Sequence, residues 1–199
     1  MSARAAGILV LLLIGTGCVT ARSEASNSPG PTPTAAAQPP GGSAQPTATG
    51  PRETPTVAEQ GLVRALAEFA RAPSAGTLGA VPFAETVRLG LSDRLMTERA
   101  SPDLVRPEAW VLSANPFRGR VGSFSALEFL SRNMSTTISV GPHPHCASPP
   151  VPPPTDLARL RRVSIQPKDI DTCVVWWTVD LFVSSANRIE AVTLDVWEP

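Results

Sequence analysis

The chain has 199 residues, of which 17 are basic and 17 acidic, so its formal net charge is zero. A balanced charge provides no basic surface for nucleic acid, and we expect no nucleic-acid partner. After a targeting segment and a low-complexity stretch, roughly 145 residues remain from Pro55 to Pro199, the usual size of one domain.

Residues 1–17 have the pattern of a secretory signal peptide. Arg4 is their only charge, and Gly7–Ile14 is an apolar run followed by Gly15-Thr16-Gly17 and then Cys18. The run is too short to span a hydrocarbon core, which needs about 20 residues. It fits the apolar region of a signal that is removed on export.

Cys18 and the residues before it resemble the lipobox of bacterial lipoprotein signals. In that family a transferase adds diacylglycerol to the thiol, and signal peptidase II cleaves just before the cysteine. Small residues such as Gly15 and Gly17 suit a narrow peptidase cleft, although the family prefers leucine at the position of Gly15. The resemblance implies a palmitate-type lipid on Cys18 and no other cofactor. It places the chain on the extracytoplasmic face of the cell membrane.

Residues 18–54 are predicted to be a disordered tether that carries the lipid at its first residue. The stretch is rich in Pro, Ala, Ser, Thr and Gly, as in Pro29-Gly30-Pro31. Such a composition cannot bury enough apolar surface to offset the entropy lost on ordering. Extended Pro-rich chain at about 3.1 Å per residue would let the domain stand roughly 100 Å from the bilayer.

The chain has three cysteines, and a lipid on Cys18 would leave two of them to pair with each other. Cys146 and Cys173 are then an even pair in an oxidising compartment, and we predict a disulfide between them. The alternative is two free thiols.

Two capping boxes predict helix starts in the domain, at Thr56–Glu59 and at Ser125–Glu128. The first helix carries an apolar stripe and ends before Pro73. Phe124 and Phe129 would form a hydrophobic staple on the second. Alternation or apolar runs predict strands at 87–91, 110–112, 136–140 and 162–166.

The clearest predicted element is a C-terminal hairpin. Residues 173–183 alternate strictly, 184–187 suit a four-residue turn, and 189–197 returns. Pairing Val183 with Arg188 gives one wholly apolar face, which includes Cys173, and brings Asp195 near Trp176.

These elements predict an α+β domain at residues 55–199, with an N-terminal helix packed on a curved, mostly antiparallel sheet and one disulfide. The element order resembles that of NTF2-like and cystatin-like folds, in which a curved sheet wraps a helix. The chain is also similar to actinobacterial-type lipoproteins with a Cys- and Trp-containing C-terminal half, a resemblance that implies no activity.

The second face of the predicted hairpin is the candidate binding face. It groups aromatic rings with carboxylates, a combination that suits a ligand or partner when exposed. The alternative is that a helix or the Pro-rich loop covers it. Its members are Trp176, Asp180, Phe182, Asp195 and Trp197.

Two further clusters suggest weaker candidate sites. His143 and His145, next to Cys146, supply metal-type ligands, although Pro144 prevents a helix from presenting both rings on one side. Three arginines, Arg159, Arg161 and Arg162, could meet an anionic polymer or form a solvated turn.

No motif of a catalytic nucleophile or phosphate-binding loop is present. We therefore predict a non-enzymatic envelope lipoprotein, held to the membrane by its lipid anchor, with an envelope protein or wall polymer as possible partner. The alternatives are a small-ligand carrier with an NTF2-like pocket, and a metal-binding protein or enzyme that uses His143 and His145.

Overall fold

Helix α1 (Val57–Arg71) begins at the predicted capping box in the computed structural model, which describes residues 53–141, 151–168 and 173–196. The Thr56 hydroxyl accepts a hydrogen bond from the Glu59 amide at 3.2 Å. The Glu59 carboxylate accepts one from the Thr56 amide at 2.7 Å. Both bonds of the box are formed, and the helix ends two residues before Pro73, as predicted.

The remaining elements lie in one compact unit, Thr47–Pro199. No described helix is long and apolar enough to cross a membrane. After α1, the described residues form two short helices, α2 and α3, and eight strands. They are α2 (Ala75–Gly79), β1 (Phe83–Leu91), β2 (Arg94–Ala100), β3 (Val111–Phe117), β4 (Arg120–Ser125), α3 (Ala126–Ser131), β5 (Thr136–Val140), β6 (Arg161–Pro167), β7 (Trp177–Val183) and β8 (Ile189–Val196).

Six of the strands form one sheet in the order β2-β1-β8-β7-β6-β5, and β3 and β4 form a separate hairpin. Every neighbouring pair is antiparallel except β1 and β8, which are parallel. The prediction of an α+β domain with a mostly antiparallel sheet is confirmed. The parallel pair joins the first strand of the domain to the last.

The main core lies between one face of the sheet and the apolar stripe of α1, which packs against that face. Trp110 is 1% exposed, and its indole N–H donates to the Leu104 carbonyl at 2.9 Å. Its ring centroid lies 6.2 Å from that of Phe69 and 6.0 Å from that of Phe83. Trp177 packs against Phe129 from α3 at 5.7 Å. Aromatic rings at these separations contribute beyond their buried area.

Two predicted elements differ in detail from the structure. Trp110 closes a short 3-10 helix, so the strand predicted from it begins at Val111. Ser125 caps α3 by accepting from the Glu128 amide at 3.5 Å, whereas the Glu128 side chain pairs with Arg132. The two rings of the predicted staple have other aromatic partners: Phe124 contacts Phe117 edge to face, and Phe129 contacts Trp177 at a tilted angle.

The C-terminal hairpin is present, but its first strand is shorter than predicted. Residues Cys173–Val175 form a 3-10 helix because the Trp176 amide bonds to the Cys173 carbonyl at 2.9 Å, which closes a turn instead of a ladder. The placement of Cys173 on the strand's core face is therefore wrong, and the residue is partly buried ahead of β7. The four-residue turn is confirmed, with Asn187 at φ +57.

The predicted hairpin register is shifted by two residues along most of its length. Val183 pairs with Ile189, and after a bulge at Glu190 the ladder continues with Phe182 opposite Ala191 and Thr178 opposite Asp195. A shift of two preserves the faces, since side chains alternate with period two. The apolar face was thus predicted correctly, whereas the placement of Asp195 near Trp176 was not.

Helix α1 is joined to the sheet by a buried carboxylate. Glu59 is 3% exposed and accepts a hydrogen bond from the Arg161 guanidinium of β6. Arg161 also donates to Glu53 at 2.6 Å. Burial alone would raise the pKa of Glu59, but the hydrogen bonds from Arg161 and Thr56 outweigh it and hold the pKa below its ordinary value.

Glu59 therefore adds stability that depends on pH. Because its pKa is lower in the folded chain, the contribution is complete above the ordinary carboxylate pKa and is lost as the pH falls through the folded-state pKa. In urea unfolding between about pH 7 and about pH 3, the wild-type chain should lose its advantage over Glu59→Gln as the pH falls. Glu68→Gln, an exposed change on the same helix, is the control. If the free energy of unfolding changes with pH equally in the wild type and in Glu59→Gln, the lowered pKa of Glu59 is contradicted.

Candidate functional site

The predicted binding face is covered in the structure. Trp176 is 8% exposed, Asp180 and Asp195 are 3% exposed, and Phe182 is 1% exposed. Trp197 lies outside the described residues. The four described members of the predicted binding face are therefore interior side chains. The sheet is buried on both faces at β7 and β8.

An apolar layer lies over the Phe182 end of this face. Phe182 and Ala191 pack with Leu157, which lies in the 3-10 helix Thr155–Leu157, and Leu95 and Leu160 complete the cluster. The sequence also allowed a covered face as the alternative to an exposed one. The segment before β6 supplies this cover, together with Leu95 of β2.

Asp180 is held inside by its strand neighbours. Arg162 on β6 donates to one oxygen of Asp180 at 2.6 Å, and the Ser164 hydroxyl donates to the other. Arg162 also donates to the Val151 carbonyl at 2.8 Å. One arginine therefore neutralises a buried carboxylate and ties the covering segment to the sheet.

Asp195 is paired by an arginine from a separate hairpin. Arg118 donates from Nε to Oδ1 at 3.1 Å and from Nη2 to Oδ2 at 3.2 Å, a bidentate arrangement. Its Nη2 also donates to the Ser92 hydroxyl at 3.2 Å, and the Val196 amide donates to Oδ1 at 3.0 Å. Two turns therefore meet at one carboxylate.

Tight turns place Arg118 and Ser92 at that carboxylate. Arg118 and Gly119 connect β3 to β4, and their positive φ values of 48 and 67 match the primed turn that suits strand twist. Ser92, at φ 54, lies in the two-residue turn between β1 and β2. That turn folds closely over Gly90, where a Cβ would collide with the Arg94 carbonyl oxygen.

A cleft of about 460 Å³ lies between these two turns. Its polar groups include exposed Asp93, Arg94 and Asn115, and its apolar groups include Met96, which is 43% exposed, and Pro116. The remaining walls are Leu91, Ser92, Ser113, Ala114, Phe117, Arg118 and Val151. The mixture allows a ligand with both apolar and hydrogen-bonding parts to be held and oriented.

The three predicted arginines do not form one cluster. Arg159 is exposed, Arg161 pairs with Glu59 and Glu53, and Arg162 is 9% exposed and pairs with Asp180. Two of the three therefore have structural partners.

The other candidate residues of the sequence are largely beyond the described part of the chain. Cys18, His143, His145 and Cys146 lie there, so the predicted lipid and metal positions are not described. Cys173 is among the described residues, and its disulfide with Cys146 stays a prediction. Among the described residues, no group of three or more His, Cys, Asp or Glu is placed to hold a metal ion.

The space between helix and sheet, where an NTF2-like pocket would lie, is filled by large side chains in the described residues. Leu66 and Phe69 of α1 are 0% exposed, and Trp110 and Trp177 are 1% exposed. The described clefts are instead at the surface.

Sequence reasoning missed Arg118, Ser92 and Ser164, which hold the two buried aspartates. The Arg118-Gly119 pair between two short strands was a detectable turn signal, but nothing local linked it to a carboxylate 77 residues later. Comparison with protein-family models, with curated proteins and with solved structures finds no match to this chain.

Removing Arg118 should leave a buried carboxylate without its main partner. Arg118→Met should lower the free energy of unfolding by about 2 to 4 kcal/mol, because uncompensated buried charge is costly. Asp195→Asn in the same chain should recover part of the loss, whereas Arg120→Met, in the same hairpin but exposed, should change it by less than about 0.5 kcal/mol. Denaturant unfolding measures the wild type, these three variants and Asp195→Asn alone. An additive double variant would contradict the coupling.

Proposed function

We propose that the chain is an envelope lipoprotein, anchored by lipid on Cys18 to the extracytoplasmic face of the cell membrane. The support is the apolar run and the small residues before Cys18, followed by a long stretch poor in large apolar residues. Two acyl chains give stable anchoring where one is marginal. The folded domain then works at the end of a tether.

A disulfide between Cys146 and Cys173 completes this proposal. Because Cys18 is assigned to lipid, Cys146 and Cys173 are left as an even pair among the three cysteines. The bond would close a loop that contains the Pro-rich stretch 149–154, and closing a loop of that length is worth about 3 to 4 kcal/mol in the chain-entropy model.

We further propose that the domain is a non-enzymatic binding module whose ligand site is the cleft between the β1–β2 turn and the β3–β4 hairpin. The observation that carries this is the convergence of Ser92 and Arg118 on Asp195. Because one buried carboxylate fixes both turns, the cleft walls are held in place before a ligand arrives. A preformed site avoids the entropic cost of ordering loops on binding.

The anchor is tested by the fate of a cysteine variant. Cys18→Ala should abolish lipid labelling and leave an uncleaved or soluble chain, since the acyl-accepting thiol is gone. Gly15→Leu, which brings the lipobox closer to its family pattern, should keep labelling and membrane association. Metabolic labelling with an alkyne fatty acid and membrane fractionation measure both. Normal maturation and membrane retention of Cys18→Ala would refute the anchor.

The cleft is tested by site-specific photo-crosslinking in cells. A photo-reactive residue in place of Met96 should give a discrete adduct, whereas one in place of Val121, which is 73% exposed and outside the cleft, should not. Asn115→Trp should fill the cleft and abolish the Met96 adduct while leaving the thermal stability unchanged. Equal adducts at both positions, or an adduct that survives Asn115→Trp, would refute the cleft as the ligand site.

A further inference from the structure

The two edges of the six-stranded sheet differ in how they are protected. Strand β2 carries the charged residues Arg94, Glu98 and Arg99 along one edge, and its pairing with β1 is interrupted by a bulge. Strand β5, at the other edge, reads Thr-Thr-Ile-Ser-Val and contains neither charge nor proline. Natural proteins block free edges with charges, prolines and bulges, so β5 has the composition of an edge left open for pairing.

The backbone of β5 shows which residues face outward. The Lys168 amide donates to the Ser135 carbonyl at 2.8 Å, and the Gly141 amide donates to the Arg162 carbonyl at 3.0 Å. Hydrogen-bonded positions alternate in an antiparallel pair, so 135, 137, 139 and 141 face β6. The backbone groups of Thr136, Ile138 and Val140 therefore point away from the sheet.

One of these outward positions already pairs with an extended segment. Glu53 forms an antiparallel bridge with Val140, and its carboxylate accepts from Arg161 at 2.6 Å. The chain then leaves the edge at Pro55 to begin α1. The bridge shows that the Val140 position of this edge accepts antiparallel backbone pairing from a residue with an acidic side chain.

A groove of about 550 Å³ runs beside the other two outward positions. Its far wall is a stripe of α1 that contains Gln60, Arg64 and Arg71, and Lys168 lines it as well. Thr136 and Ile138 form the near wall. Among the described residues that line this groove, three are cationic and none is acidic, so its charge complements an anionic occupant.

We propose that the outer edge of β5 binds an extended acidic segment of a partner protein, which adds to the sheet as a further strand. Backbone groups of Thr136 and Ile138 supply the pairing, and Arg64 and Arg71 receive the carboxylates. This goes beyond the proposed function, since the groove lies at the sheet edge opposite the β1–β2 turn and uses none of the cleft residues.

The test is fluorescence anisotropy with the full chain in detergent and a labelled heptapeptide of alternating glutamate and valine. The peptide should bind saturably, and the corresponding lysine–valine peptide should not. A glutamate–valine peptide with N-methyl groups on all its amides should bind roughly tenfold or more weakly, because it keeps the charge but can donate no backbone hydrogen bond from either edge.

Variants of the chain locate the site. Arg64→Glu with Arg71→Glu should weaken binding roughly tenfold, whereas Arg106→Glu with Arg120→Glu, two exposed changes elsewhere, should not. Thr136→Pro removes one outward backbone amide and should weaken binding, because the peptide loses a hydrogen-bond donor. The fold should tolerate the change, since this amide makes no bond to β6 and proline is found at such edge positions. Asn115→Trp should leave affinity unchanged, which separates this proposal from the cleft.

Four results would overturn the proposal. Three of them are failure of the glutamate–valine peptide to bind, equal binding of the N-methylated peptide, and equal binding by the Arg64→Glu, Arg71→Glu chain. A dimer in sedimentation that dissociates on Thr136→Pro and excludes the peptide would likewise overturn it, by assigning the edge to a second copy of the chain.

Discussion

Two carboxylates lie inside the sheet, and the arrangement around them follows from the need to pair each one. Asp180 on β7 and Asp195 on β8 are on the same face, where the ladder sets Asp180 opposite Thr193 and Asp195 opposite Thr178. Burying an ion costs several kcal/mol unless close partners replace its hydration. Each aspartate therefore requires an arginine, and the two arginines come from different parts of the chain.

The pairing explains why this face has a cover at all. Arg162 reaches Asp180 from β6 and holds the Val151 carbonyl with another nitrogen, so the segment that leads into β6 is tied to the sheet. Arg118 reaches Asp195 from the β3–β4 turn and holds Ser92 of the β1–β2 turn. Hydrophobic packing around Phe182 stabilises this covering layer. The directional hydrogen bonds at the two aspartates fix the positions of the segments that form it.

The local parts of the fold were predictable because their causes are local. A capping box spans four residues, and the Thr56 box begins α1 at the predicted place. The β7–β8 hairpin was recognisable from strict alternation and a four-residue turn. Its register was not, since the bulge at Glu190 leaves no distinct mark in the sequence and displaces the ladder without exchanging the faces.

The candidate site could not be predicted for a different reason. Alternation shows that a strand has two unlike faces, but it does not show whether the polar face meets water or a second layer. Thr, Asp and Phe on one face are compatible with both. The deciding contact, between Arg118 and Asp195, joins residues 77 positions apart, and the parallel pairing of β1 with β8 joins the two ends of the domain. Neither has a short-range signature.

A third carboxylate that is paired by an arginine lies at the start of the described residues. Glu53 pairs its backbone with Val140 and its side chain with Arg161, and Arg161 also holds Glu59 of α1. A single guanidinium thus joins the start of the described chain, the first helix and the sheet. The bridge is antiparallel and lies at the Val140 end of β5. The cleft at the opposite edge depends on Arg118 and Asp195 and shares no residue with this cluster, so different arginines hold the two surfaces.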